Sequence, residues 1–326
     1  MYEDSSSSDR NHILFGREGL RAGWGLLIFV LIFSLLVSGG HALAAHLHRH
    51  AAPAGSEETP WALYTTEGLS LVIIALTTWI MSRIEGRSVG DYGFGGSHAW
   101  SRFFAGLGWG VTFLTLLVLA LRMSGLLVFS DLLLHDLSSL RYGAIWLIGF
   151  LLVGLVEESL LRGYLQLTLA RGLAALYEPI APRRSRALGF WTAALLLSFL
   201  FGLSHQSNHG ESPLGVAAAG LAGLVFCLSL WRTGSLWWAI GFHASWDWAQ
   251  SFLYGVADSG IMVSHRLLAT HPAGTPLMSG GATGPEGSLY ILPTLALVAA
   301  VIVLTLPRTA AETEAGSAKL TEASLQ

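Results

Sequence analysis

Eight long apolar stretches, set in series and separated by short polar segments, leave this chain few folds to choose from. They run roughly over residues 24–45, 61–81, 103–121, 144–166, 188–203, 214–231, 235–254 and 288–306. A helix rises 1.5 Å per residue, so about 20 apolar residues cross a hydrocarbon layer ~30 Å thick. Hydrocarbon offers the backbone no hydrogen-bonding partners, so a run of this length there must be a helix. The expected fold is therefore all-α, a polytopic transmembrane helical bundle of about eight spans. Only 12% of the residues are charged, against about 25% in a soluble domain, which excludes a globular cytosolic enzyme. The net charge is −3 with no basic block, so the expected surroundings are bilayer lipid and not nucleic acid. The single cysteine, Cys227, sits in an apolar run and rules out an intrachain disulfide.

Basic residues orient such a bundle, because lysine and arginine accumulate on the cytoplasmic side. With the N-terminus inside and the sides alternating, all 18 basic residues fall inside except Arg49, Arg122, Arg141 and Arg266. Both termini are thus expected in the cytoplasm, with the chain in the plasma (inner) membrane, on a bacterial pattern. The organisation expected is a polar N-terminus (1–23, its first residues disordered), three helices with their loops (24–140) and a helical core of spans four to seven (141–254). A flexible Gly- and Pro-rich external loop (255–287), a last span (288–306) and a polar cytoplasmic tail (307–326) complete it. Ala42-Leu43-Ala44 imitates a signal-peptidase site, but the apolar run is longer than a signal core, so the first span is read as uncleaved. His41, His46, His48 and His50 crowd the first external loop with irregular spacing and are read as solvated. Glu67, early in the second span, is read as interfacial.

The polar exceptions inside the apolar runs carry the chemistry. An ionised side chain in hydrocarbon is costly and marks a functional site by default. The segment 151–166, LLVGLVEESLLRGYLQ, holds Glu157, Glu158 and Arg162. Glu158 and Arg162, four apart, share a helix face and can pair. Glu157 is rotated by about 100° and needs another partner. Later spans offer Phe201–His205 (FGLSH) and His243–Asp247 (HASWD). Counting helix rise, Glu157 lies about 22 Å inward from Tyr142 and His243 about 12 Å from Ser235, both in the cytoplasmic half. His205 lies about 21 Å from Trp191 and fits that level less well. The inner-half site suggests substrates presented from the cytoplasm.

A carboxylate with two imidazoles in a dry bundle suits hydrolysis in two ways. Glu157 could serve as general base on a water held with His205, while His243 and Asp247 orient groups or steady an oxyanion. Alternatively Glu157, His205 and His243 could bind Zn²⁺ or another divalent metal as an open three-ligand site, with Asp247 beside it. The residues do not choose between these. Buried acids and imidazoles also make proton relays, so a proton-coupled carrier is a further reading, though no repeated pair of broken helices supports it. A non-catalytic immunity or scaffold protein is another.

At these residues the chain resembles the CPBP family, also called the Abi or CAAX-protease-like family. Its members are intramembrane endopeptidases related to the type II CAAX prenyl endopeptidase. Their pattern is EExxxR, then FxxxH, then HxxxN or HxxxD on successive spans, and residues 157–162, 201–205 and 243–247 match it in order. The resemblance implies that Glu157 activates the water with His205 as its partner. It further implies that Glu158, Arg162 and Phe201 support them, and that His243 with Asp247 completes the site. The prenyl-protein branch has Asn where this chain has Asp247, and a carboxylate donates no hydrogen bond unless protonated. Family members have been described both as metalloproteases and as glutamate-dependent proteases. The expected substrates are membrane-associated or CAAX-like proteins and peptides.

Overall fold

A computed structural model describes residues 14–16, 19–47 and 57–307, and within them the apolar stretches are helices. In chain order these are α1 (Ala22–Leu47), α2 (Pro60–Glu85), α3 (Ala99–Met123), α4 (Asp136–Glu157), α5 (Gln166–Tyr177) and α6 (Ser185–Ser204). α7 (Pro213–Thr233), α8 (Trp237–Trp248), a single-turn α9 (Pro276–Ser279) and α10 (Ile291–Thr305) follow. Strands β1 (Phe15–Gly16) and β2 (Gly19–Leu20) form one small antiparallel pair, and β3 (Leu127–Leu132) and β4 (Leu268–Pro272) another. The first and last polar residues of the chain and the side chains of His41, His46, His48 and His50 lie outside the described residues.

Six of these helical segments are long and apolar enough to cross a membrane. The expected seventh and eighth spans correspond to shorter helices, α8 with its following turn and α10. For α8 the reason lies in its surroundings: Trp238, Ala239, Ile240, Phe242, Ala244 and Trp246 are all buried, so protein rather than lipid encloses it. The fourth span runs further than expected, as one segment from Asp136 to Tyr177. It continues past Gln166 because that side chain finds a partner indoors, donating from Nε2 to the Phe190 carbonyl at 3.0 Å.

Local chemistry sets several ends. Thr59 and Ser212 accept hydrogen bonds from the Ala62 and Gly215 amides, and Pro60 and Pro213 follow them in the first turns of α2 and α7. The proline gives up no helical N–H there, so the sequence starts both helices at those residues. Between α4 and α5, Glu158–Leu165 widens into a π-helical stretch kinked at a non-helical Gly163. Such turns are rare and concentrate at functional sites. Tyr164 of this turn donates to Glu85 at the end of α2, which Tyr92 and Arg171 also reach at 3.2 and 2.9 Å.

α3 and α8 approach until their backbones nearly touch. A Cβ at Gly106 would run into the Trp238 carbonyl, one at Gly110 into Ser245 Oγ and the Phe242 carbonyl, and one at Gly241 into the Phe103 carbonyl. Small residues four apart permit this in membrane helices, where close van der Waals packing replaces the hydrophobic drive. Gly106→Ala is expected to cost about 1–3 kcal/mol of stability by overpacking. A lowered thermal midpoint of the detergent-purified protein measures it, and an unchanged midpoint would refute the close contact.

The segment after α8, expected as a flexible external loop, carries paired backbone. β4 pairs with β3, and Glu58, just before α2, donates to the Met262 carbonyl and accepts from the Ser264 amide at 2.7 and 2.8 Å. Its glycines serve close packing: Gly260 and Gly284 sit at φ 82° and 107°, where a side chain would strike the His209 and Ala257 carbonyls. The segment closes the end of the bundle where α2, α4, α7 and α10 begin and α6 and α8 end.

Candidate active site

Glu157 is the last residue of α4, and Glu158 opens the π turn. Glu158 is fully buried, and Arg162 meets its Oε1 at 3.0 Å, the pairing that their spacing predicts. The guanidinium lies over the Phe201 ring, 4.2 Å from its centroid, with the Phe226 ring at 5.6 Å. Cation and rings attract through the ring quadrupole, so Phe201 and Phe226 hold Arg162 where it can neutralise Glu158.

The same Glu158 Oε1 lies 2.9 Å from His243 Nδ1. An ionised carboxylate only accepts, so Nδ1 carries the proton and donates, which leaves Nε2 facing the rest of the site. Nε2 lies 3.6 Å from Glu157 Oε2 and 3.5 Å from Asp247 Oδ2. The imidazole is stacked on Phe226, 5.4 Å between centroids at 29°. Glu157, Glu158, Arg162, Phe201, His243 and Asp247 thus converge from the α4–α5 segment, α6 and α8.

His205 stands apart from this cluster. It ends α6, its Nδ1 lies 2.8 Å from the Phe201 carbonyl, and its ring meets the Phe201 ring edge-on at 4.7 Å. The residue directly facing Glu157 is therefore His243 and not His205. The mismatch in depth has the same cause: His205 sits at the helix end, nearer the face where the bundle is closed. His205 and Glu157 nevertheless line one cavity of about 310 Å³, together with Phe201, His243 and Asp247. As for a metal, no group of three or more His, Cys, Asp or Glu among the described residues is placed to hold one ion. Glu157, His205 and His243, the ligand set of the second reading that the residues left open, are not such a group in this arrangement.

The cavity recruits acids that sequence reading missed as site residues. Glu67 lines it from α2, and Glu58, Asp258 and Glu286 line it from the segments that close the bundle. Glu67 carried a signal, an acid within an apolar run; Asp258 and Glu286 carried none, since only the fold of the closing segment brings them inward. Burial pushes both carboxyls above their usual range. Asp258 accepts from Ser251 Oγ at 3.3 Å and Gln250 Nε2 at 3.5 Å, and Glu286 accepts from the Ser259 hydroxyl at 2.8 Å and the Ser259 amide. All four lie toward the end of the bundle that the basic-residue count assigns outside.

Residues 139–249 match the model of the type II CAAX prenyl endopeptidase Rce1-like family. No curated protein and no solved structure matches the chain. The matched segment, about a third of the chain, begins in α4 and ends just past α8, and so contains every motif residue that converges on the cavity. Over this segment, and not over the chain as a whole, the protein is similar to that family.

Proposed function

We propose that the protein is an intramembrane endopeptidase that hydrolyses peptide bonds of membrane-associated or CAAX-like polypeptides with a water activated by Glu157. The observation that carries this reading is a carboxylate on a cavity wall, Glu157, facing the Nε2 of an imidazole whose other nitrogen is tied down. Glu157 takes a proton from water, and the oxygen attacks the scissile carbonyl carbon. The protonated Glu157 then returns that proton to the departing nitrogen, so the acid is restored as the C–N bond breaks. A general base of this kind contributes about 10²–10⁴ in rate.

The two histidines divide the remaining work. His205 donates a hydrogen bond from Nδ1 to the Phe201 carbonyl, so its Nε2 is free to accept one from the water. His243, once protonated at Nε2, has a proton to offer the oxyanion, and Asp247 steadies the imidazolium. This replaces the direct donor role that an Asn would have there. Glu158, Arg162 and Phe201 act through His243 by holding its orientation. Because Glu157, His205 and His243 are not grouped around one point among the described residues, no step is assigned to a metal.

The test is purified protein in nanodiscs presented with a library of membrane-peptide substrates. Wild type is expected to cleave, and His205→Ala to lose about 10²-fold or more in kcat at unchanged folding. Cleavage is expected to persist after exhaustive chelation, with no stoichiometric metal in the protein. A well-folded wild type that cuts nothing would instead support the immunity or scaffold reading.

A further inference from the structure

The two ends of the Arg162 guanidinium stand in different surroundings. Nη1 meets Glu158 Oε1 at 3.0 Å, whereas the buried Nη2 makes no hydrogen bond among the described residues. What holds Nη2 is shape. A Cβ on Gly223 of α7 would lie 2.5 Å from it and 3.0 Å from the buried Ser198 Oγ of α6. Non-bonded heavy atoms settle at about 3.5–4.0 Å, so any side chain at 223 competes with the guanidinium for one place. α7 lies close against α6 here, since a Cβ at Gly202 would stand 2.5 Å from the Val216 carbonyl. Retreat of α7 would give up that packing, so the guanidinium, at the far end of a flexible side chain, is the part that yields. Its movement reaches Glu158 Oε1, the same atom that receives His243 Nδ1 at 2.9 Å.

We propose that Gly223 is a positioning residue of the reaction: the gap it leaves in α7 seats the Arg162 guanidinium, and through Arg162 and Glu158 it aims His243 Nε2 at Glu157. The proposal rests on the peptidase reading and adds a residue to its machinery. Gly223 does not line the cavity, so a methyl group there meets no substrate and acts on the site through Arg162. Misplacing a reacting group by about 1 Å from a distant site can cost about 10²-fold in rate.

The test is a double-mutant cycle with full-length protein in nanodiscs. Gly223→Ala is expected to lower kcat about tenfold or more, with KM within about twofold of wild type. Arg162→Lys still offers Glu158 a cation but ends in a single nitrogen, which leaves the gap empty. In that background Gly223→Ala should cost less than about twofold, because the clash is gone. A methyl group that merely damaged α7 would cost the same in both backgrounds. The Nδ1 proton of His243 gives a reading independent of turnover, by NMR on protein with isotope-labelled histidine. It is expected to move upfield in Gly223→Ala, as its hydrogen bond to Glu158 weakens, and to stay in place when the same change is made beside Arg162→Lys. Should Arg162→Lys turn over too slowly to measure, this shift is read in place of kcat. Should Gly223→Ala not fold, its recovery beside Arg162→Lys is read instead, and failure in both backgrounds overturns the proposal. Equal cost in both backgrounds, or wild-type kcat in Gly223→Ala, also overturns it. The expected shifts in a protein that cuts no peptide would fail the peptidase reading alone. Cleavage by wild type with kcat and shift unmoved in Gly223→Ala would fail this one alone.

Discussion

Glu157→Gln is expected to lower kcat about 10²–10⁴-fold while the protein melts at the wild-type temperature. The amide keeps the shape of the side chain and loses only its ability to take a proton. The Glu157 side chain is 31% exposed, and its ionic contact is with His243 at 3.6 Å, beyond a good hydrogen bond. Little of the fold therefore depends on its charge. The measurement is kcat on a fluorogenic membrane peptide beside a thermal melt in the same nanodiscs. Retention of more than about a tenth of wild-type turnover would remove Glu157 from the role of base, since that loss falls short of what such a group contributes.

Arg162→Ala is expected to act on stability, by about 3–5 kcal/mol, because it strands a buried charge. Glu158 is fully buried, and its Oε1 receives both Arg162 at 3.0 Å and His243 at 2.9 Å. Without the guanidinium, Glu158 must hold its charge against His243 alone, and Phe201 and Phe226 lose the cation they pack on. Yield and thermal midpoint should both fall. The double variant Glu158→Gln/Arg162→Met should recover much of the stability, because no uncompensated charge remains. It should not recover turnover, because an uncharged amide in place of the Glu158 carboxylate is a poorer anchor for His243. Normal expression of Arg162→Ala with full activity would show that the pair holds nothing in place.

The two predictions separate adjacent acids, and that separation was legible in the spacing. A helix turns 100° per residue, so Glu158 pairs with Arg162 and Glu157 points elsewhere on helix geometry alone. The identity of Glu157's neighbour was not legible in this way. FGLSH and HASWD offered equivalent histidines, and the choice of His243 depends on how far α6 and α8 reach along the bundle. The wide turn at Glu158–Leu165 and the near-contact of α3 with α8 belong to the same class. The glycines at 106, 110 and 241 hinted at the latter, but which helices they join is a matter of packing.

The amino-acid order alone determined that this is a helical membrane bundle, where its apolar helices run, and which polar residues are anomalous enough to do chemistry. These properties follow from local energetics: apolar length, charge in hydrocarbon and spacing along one helix. Only the tertiary structure decided that His243 faces Glu157, that His205 lines the same cavity from the end of α6, and that the segment 255–287 turns its acids inward. Those contacts join residues far apart in sequence, and their geometry is set by helix packing and loop closure, which no local pattern encodes.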